Sequence, residues 1–251
     1  MNVLPLSWVL FFLGLMGLIL GSFGNVLIAR APKGESIGGR SRCPHCKNVL
    51  GWGELVPVIS FLLHGGRCRK CRKGISAQYP FVEIVSALIV PLAFYRGGFQ
   101  VLPSVLLSLS LWFLFLIAVT DFQTRTIPDA LSLPLIALTL LWNIADGRLH
   151  AEGLVVGAVF IGGQWLLSKG KWVGSGDVLL ALGIGALMQS WVLGILWLGL
   201  SYMIGAVLAC ILLLTHKKTA AESIAFAPLL VAGAFITLFW GEEILSVWFP
   251  F

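Results

Sequence analysis

The run LSWVLFFLGLMGLILGSFGNVLI, residues 6–28, decides the fold. It holds no charged side chain, and as a helix it extends about 34 Å, enough to cross the roughly 30 Å hydrocarbon core of a bilayer. A barrel strand would alternate polar and apolar residues over about ten positions, and this run does not. It is too long for a signal-peptide core and lacks a small-residue cleavage site followed by a mature domain, so it reads as a first membrane span. Similar runs follow at residues 79–95, 101–120, 130–145, 153–168, 178–189, 191–215 and 224–240. The expectation is an all-α polytopic membrane protein of about eight transmembrane helices. Residues 241–251, GEEILSVWFPF, read as an interfacial tail bearing Trp and Phe.

Composition agrees. Of 251 residues, 58% are hydrophobic and 11% charged, with a mean hydropathy of +0.96. A soluble domain carries about a quarter charged residues, so a soluble enzyme, a disordered tail and a coiled coil are excluded. The net charge of +6 does not point to nucleic acid, because ten of the 17 Lys and Arg residues lie between Arg30 and Lys73. With that loop in the cytosol, alternating spans also put Arg125, Lys169, Lys171, Lys217 and Lys218 inside. Only Arg96 and Arg148 remain outside, a tally of 15 against 2 that the positive-inside rule favours. The organisation expected is a first span over 1–29, a cytosolic basic tetracysteine loop over 30–78 and a membrane helical core over 79–251. No internal repeat or low-complexity segment is evident.

Four of the five cysteines sit in the loop as CPHC (Cys43, Cys46) and CRKC (Cys68, Cys71). Each C-x2-C pair can present two thiolates to one metal, and two pairs complete a tetrahedral S4 site suited to Zn2+. A reducing cytosol disfavours disulfides, and neighbouring Arg and Lys favour the thiolates. The alternative, two redox pairs, lacks a surrounding βαβ pattern. An S4 site is coordinatively closed, so it organises the loop and does no chemistry. A minidomain of this size needs the metal to fold. His45 and His64 read as solvated loop residues, and Cys210 as a buried small one.

The eleven acidic residues can be audited singly. Glu35, Glu54, Asp146, Glu152, Glu222, Glu242 and Glu243 read as ordinary solvated charges. Asp121 ends the third span, where a carboxylate meets the negative end of the helix dipole, an unfavourable place by a few tenths to about 1 kcal/mol. Asp129 follows Ile127–Pro128 at the start of the fourth span, where an acid suits the dipole and a structural role suffices. Asp177 closes GSGD (Gly174 to Asp177) and reads at its plainest as an N-cap. The two glycines add freedom for φ > 0 or for close approach of another chain. Two aspartates brought together at one membrane face suggest an aspartic peptidase dyad sharing one proton. A transporter or ion pathway using Asp121 and Asp177 as proton or cation sites is the competing reading, but it predicts acids near the midplane, where this chain has almost none. A scaffold carrying a zinc platform leaves GSGD and Asp121 unexplained.

The chain resembles the type IV prepilin peptidases, also called prepilin leader peptidase/N-methyltransferases. The resemblance runs through GSFGNVLIARAP (Gly21 to Pro32), the paired cysteines, ELVPVISFLLHGGRC (Glu54 to Cys68), ISAQYPFVEI (Ile75 to Ile84), TDFQTRTIPD (Thr120 to Asp129) and GSGDVLLALGIGALM. It implies that Asp121 and Asp177 are the catalytic pair, beside the structural Zn2+ read from the cysteines. The implied substrates are prepilins or pseudopilins, cleaved at a basic leader on the cytosolic side of the bacterial inner membrane. It further implies methylation of the new N-terminus from S-adenosylmethionine. Partners are those substrates and membrane lipid, with no nucleic acid. IAFAPLL (Ile224 to Leu230) departs from the family's PFGP-like pattern, Ala225 and Ala227 replacing its first proline and its glycine. No Rossmann glycine signature marks a methyl-donor site. Glu54 and Glu83 are the acidic candidates there, each also readable as an ordinary charge.

Overall fold

Apolar chain in lipid has no water to satisfy its backbone, so each run closes its own hydrogen bonds as a helix. The computed structural model describes residues 5–145, 147, 151–215 and 224–248. These form α1 (Leu6–Arg30), α2 (Ile59–Leu63), α3 (Gln78–Arg96), α4 (Val101–Thr124), α5 (Asp129–Ala145), α6 (Glu152–Ser168), α7 (Ser175–Leu187), α8 (Trp191–Leu214) and α9 (Ala227–Trp248). Apart from α2, a short piece inside the basic loop, they correspond to the eight expected spans. Five of them (α1, α3, α4, α8 and α9) are long and apolar enough to cross a membrane, while α5, α6 and α7 are shorter apolar helices. Among the described residues extended structure is limited to two isolated bridges, Arg42 with Val49 and Arg67 with Gly74. The chain is an all-α, multi-pass membrane protein. Asp146, Arg148, Lys217, Lys218, Glu222 and residues 249–251 lie outside the described residues.

Two expectations need correction. Residues 241–248 continue α9 rather than forming a tail. Gly241 packs there so closely that a Cβ would lie 2.8 Å from Leu193 Cδ2. Cys210 is exposed, not buried. Apolar exposure carries no penalty in lipid, so an apolar run no longer implies an interior. Phe11, Phe12, Met16 and Ile19 on α1 are exposed in the same way.

The chain divides into two compact units, Met1–Trp112 and Phe113–Phe251, the boundary falling within α4. In the first, α1 packs along α3. Small residues allow this: a Cβ on Gly21 would lie 2.5 Å from Glu83 Cα, and one on Gly17 2.6 Å from Ala87 Cα. Asn25 Nδ2 donates to the Tyr79 carbonyl at 3.1 Å, tying the end of α1 to the start of α3.

In the second unit α7 packs against α5, α6 and α9. Gly153 and Gly157 of α6 meet Ala181 and Gly185 of α7 nearly backbone to backbone. A Cβ on Gly157 would fall 2.8 Å from the Ala181 carbonyl oxygen, and one on Gly185 2.7 Å from that of Gly153. Side-chain donors cross between helices as well. Asn143 Nδ2 reaches the Ala186 carbonyl at 2.7 Å, and Trp197 Nε1 the Leu230 carbonyl at 2.9 Å. Such ties resist sliding of one helix past another: the first fixes the C-terminal end of α7 to α5, the second α8 to α9.

Candidate active site and metal centre

Asp121 lies one turn before the end of α4, and its carbonyl accepts the Arg125 N–H at 2.8 Å. Its side chain is 6% exposed. Oδ2 accepts the backbone N–H of Ala227, the first residue of α9, at 3.0 Å, and the Phe226 N–H bonds the same carboxylate. The helix-dipole problem posed by the sequence therefore has an answer. A carboxylate at the negative end of α4 is held by the unsatisfied N–H groups at the positive end of α9. IAFAPLL acquires a role that Ala225 and Ala227 do not impair, because the donors are backbone groups. Pro228, lacking an N–H, costs nothing in the first turn of a helix.

Asp177 is the third residue of α7 rather than its N-cap, a position taken by Gly174. Its Oδ2 reaches back to accept the Gly174 N–H at 3.0 Å. Neither glycine of the motif adopts positive φ. The close approach is real at Gly176, where a Cβ would lie 2.8 Å from Ile127 Cβ and 3.3 Å from its carbonyl oxygen. Thus the GSGD turn rests directly on the isoleucine of the TRTIPD segment. Asp177 is near enough to Asp121 for the two carboxylates to interact electrostatically. Asp129 opens α5 and is exposed.

Tyr202 of α8 was not singled out from the sequence, since one tyrosine in an apolar helix gives no signal. Its hydroxyl donates to Gln164 Oε1 at 2.9 Å. Its ring packs edge-on against Phe160 and Phe226, with centroids 5.6 and 5.4 Å away. It braces the segment whose N–H groups hold Asp121.

In the first unit the cysteines form two matching knuckles. Cys43 N–H donates to the Asn48 carbonyl and Cys68 N–H to that of Lys73, while Lys47 and Arg72 N–H return to the carbonyls of Cys43 and Cys68. Lys47 and Arg72 occupy equivalent positions and both have positive φ, 58° and 59°. RCPHCKNV and RCRKCRKG are thus a short structural repeat, one the sequence reading missed and an alignment of the two segments could have found. The four sulfurs lie within 4.8 Å of one another. Cys43 and Cys71 are separated by 3.9 Å, and Cys46 and Cys68 by 4.0 Å. A tetrahedral site with metal–sulfur bonds of about 2.3 Å has edges of about 3.8 Å, so the cluster fits one metal ion. Backbone N–H groups of Cys71 and Lys70 aimed at Cys68 lower its thiol to about 7, while desolvation and the neighbouring cysteines raise Cys71 to about 11, so the four sulfurs do not ionise together without a cation among them.

His45 is exposed, its Nε2 3.1 Å from the Gly74 carbonyl oxygen. His64 is not solvated as expected: its Nε2 is buried without a partner among the described residues. Glu54 Oε2 accepts the Gly51 N–H at 2.8 Å. Glu83 is buried, and its Oε2 accepts the Val58 N–H at 2.7 Å. Val58 has φ +60°, a strained value for a β-branched residue, which that bond helps to maintain.

The fold defines a polytopic helical membrane protein in which Asp121 and Asp177 lie close enough to interact. The bacterial peptidase A24 N-terminal domain profile matches residues 15–97, and that of the type IV leader peptidase family matches residues 108–215. The protein named prepilin leader peptidase/N-methyltransferase from Stutzerimonas stutzeri is 32% identical over 98% of this chain and 96% of its own length. Those of the same name from Pseudomonas aeruginosa and Bacillus subtilis are 31% and 33% identical, covering 98% and 92% of this chain and 95% and 94% of their own. The chain belongs to the type IV leader peptidase family. No solved structure matches it.

Proposed function

We infer that the chain is a membrane aspartic endopeptidase that removes the basic leader of type IV prepilins or pseudopilins and then methylates the new N-terminus. What supports the peptidase reading is that Asp121 lies near enough to Asp177 to act on it electrostatically, with Gly176 of the GSGD turn seated on Ile127. Neighbouring carboxylates share one proton. The ionised member takes a proton from water as the water oxygen attacks the amide carbon. The protonated member polarises the carbonyl oxygen and then supplies the proton that the departing amine nitrogen receives as the C–N bond breaks. The Ala227 and Phe226 N–H groups hold Asp121 in place throughout. A transporter would not need a leader-sized substrate at one membrane face, and the family relationship favours hydrolysis.

The tetracysteine cluster would hold a structural Zn2+, pinning the two knuckles together without entering the chemistry. S-adenosylmethionine, when bound, supplies a methyl group. The division of labour follows the sequence: an anchor over 1–29, a metal-bound cytosolic loop over 30–78 and a peptidase core over 79–251. The loop and the dyad face the cytosol of a bacterial inner membrane, as the charge bias requires.

The test is coexpression with a prepilin, scored by mass spectrometry for leader removal and for a methyl on the product. Wild type should yield a shortened, methylated product. An unprocessed substrate, with the enzyme inserted in the membrane, would overturn the assignment.

A further inference from the structure

The loop between α1 and α3 is strongly basic, yet one stretch of it, Leu55 to Leu63 (LVPVISFLL), carries no charge. Its last five residues form α2, whose two faces differ. Ser60, Phe61 and His64 turn toward a cavity that Ser22 and Asn25 of α1 and Glu83 of α3 also line. The other face is bare. Ile59, Leu62 and Leu63, spaced i, i+3 and i+4, are 56%, 70% and 76% exposed. Trp52, in the short turn Trp52–Glu54 that packs on α2, is 86% exposed, and Val56 is exposed as well. On a span such exposure is ordinary, because lipid covers it. On a loop surrounded by water, each such Leu or Ile forgoes about 1.5–3 kcal/mol.

The depth of α2 decides what covers this face. The Val58 N–H, just before α2, donates to Glu83 Oε2 at 2.7 Å. Glu83 lies five residues beyond Gln78, the first residue of α3, which at 1.5 Å per residue is about 7.5 Å into that helix. The whole of α3 has 19 residues, about 28 Å, and a hydrocarbon core of about 30 Å uses all of it. Thus α2 sits beside the membrane-spanning part of α3. The wall from α1 agrees, since Ser22 and Asn25 precede its last residue, Arg30, by two turns and by more than one.

The backbone fits the same surroundings. A segment in lipid satisfies its polar groups within the protein. Here the N–H groups of Ile59, Ser60, Leu62, His64, Gly65 and Gly66 all reach carbonyls within residues 56–62. The Val58 N–H takes the Glu83 carboxylate, a partner that water would replace on a solvated loop.

We propose that α2 is a re-entrant interfacial helix, with Ile59, Leu62, Leu63 and Trp52 seated among the lipids of the leaflet that borders the loop. Trp suits that boundary. The ten Lys and Arg residues between Arg30 and Lys73 meet the anionic headgroups around it. The loop is then held to the bilayer in its middle as well as at its ends, which keeps both cysteine knuckles at the surface.

The experiment uses the full-length protein in nanodiscs of phosphatidylethanolamine and phosphatidylglycerol. Leu63→p-benzoylphenylalanine is photolysed with a prepilin present, and the adducts are mapped by mass spectrometry. The same probe at Ile37, an exposed apolar residue earlier in the loop, is the comparison. Position 63 should give acyl-chain adducts at least fivefold more abundant than position 37. In that protein Glu83→Ala, which removes the acceptor for Val58, should lower the adduct at least threefold, and Glu83→Gln, which keeps one, should not. Adducts at position 63 confined to prepilin or to a second copy of the chain overturn the proposal, as does a probe that meets only water. An adduct unchanged by Glu83→Ala overturns the anchoring through Val58. If the Leu63 variant does not reach the membrane, the probe at Trp52 decides by the same outcomes.

Discussion

At the scale of single residues, the candidate site turns on groups that are costly where they stand. Asp121 occupies the wrong end of α4 by its own helix dipole and is held by N–H groups of another helix. Asp121→Asn and Asp177→Asn should each lower prepilin cleavage by about a thousandfold or more, within the range expected for loss of a general acid or base. The double variant should be little worse than either single one, because acid and base act as a unit. Asp129→Asn should keep most of the activity. Rates measured on detergent-solubilised enzyme check all four, and near wild-type cleavage by either single variant would remove that residue from the dyad. Position 227 separates backbone from side chain. Ala227→Pro deletes the N–H that donates to Asp121 while remaining acceptable in a first helical turn. A hydrogen bond to a charged group contributes about 1.5–3 kcal/mol, so kcat/KM should fall roughly ten- to a hundredfold. Ala227→Gly keeps the N–H and should behave nearly as wild type; equal losses in both variants would show that the methyl group, not the donor, matters.

At the scale of elements, the knuckle pair brings four sulfurs within 4.8 Å of one another, a spacing that suits one metal ion. Elemental analysis should find about one zinc per chain, and chelation or Cys43→Ser should open the segment between Arg30 and Lys73 to limited proteolysis. Cleavage of prepilin should suffer less than in the aspartate variants, since the cluster is closed to substrate. Absence of metal, with all four thiols freely alkylated, would contradict this. The two knuckles repeat because the same short turn solves the same problem twice. It directs two sulfurs inward and places a positive-φ residue immediately after the second cysteine. The elements α6 and α7 make a comparable point in lipid. Their approach depends on residues without side chains, and there is no water-driven collapse to hold them together otherwise.

At the scale of the whole molecule, the proposed reaction takes place where a basic leader meets an apolar helix. The apolar helix of the substrate can lie against the spans in lipid while the scissile bond reaches the aspartates at the membrane face. The basic loop repels a basic leader and instead favours anionic headgroups, at about 1 kcal/mol per Lys or Arg near the surface. Truncating the apolar helix of the substrate should therefore reduce cleavage more than removing one leader lysine. A side-by-side comparison in vesicles measures the difference, and the opposite order would make leader charge the dominant recognition element.

Much of this was legible in the residues. Uninterrupted apolar runs determine helices because lipid offers no other partner for the backbone, and the paired C-x2-C spacing brings four sulfurs together because each turn directs two of them inward. Asp121 stood out because its position is electrostatically poor, and GSGD because glycines there need a reason. Tertiary structure alone decided what answers those anomalies. The group that holds Asp121 is a backbone N–H 106 residues away, and backbone N–H groups are the same in every sequence. Gly176 meets Ile127, and Glu83 meets Asn25 and the loop at one cavity, only once helices have packed. Hydropathy states that a segment is apolar but not which of its faces meets protein and which meets lipid. That choice belongs to the contacts between helices, and with it the construction of the site.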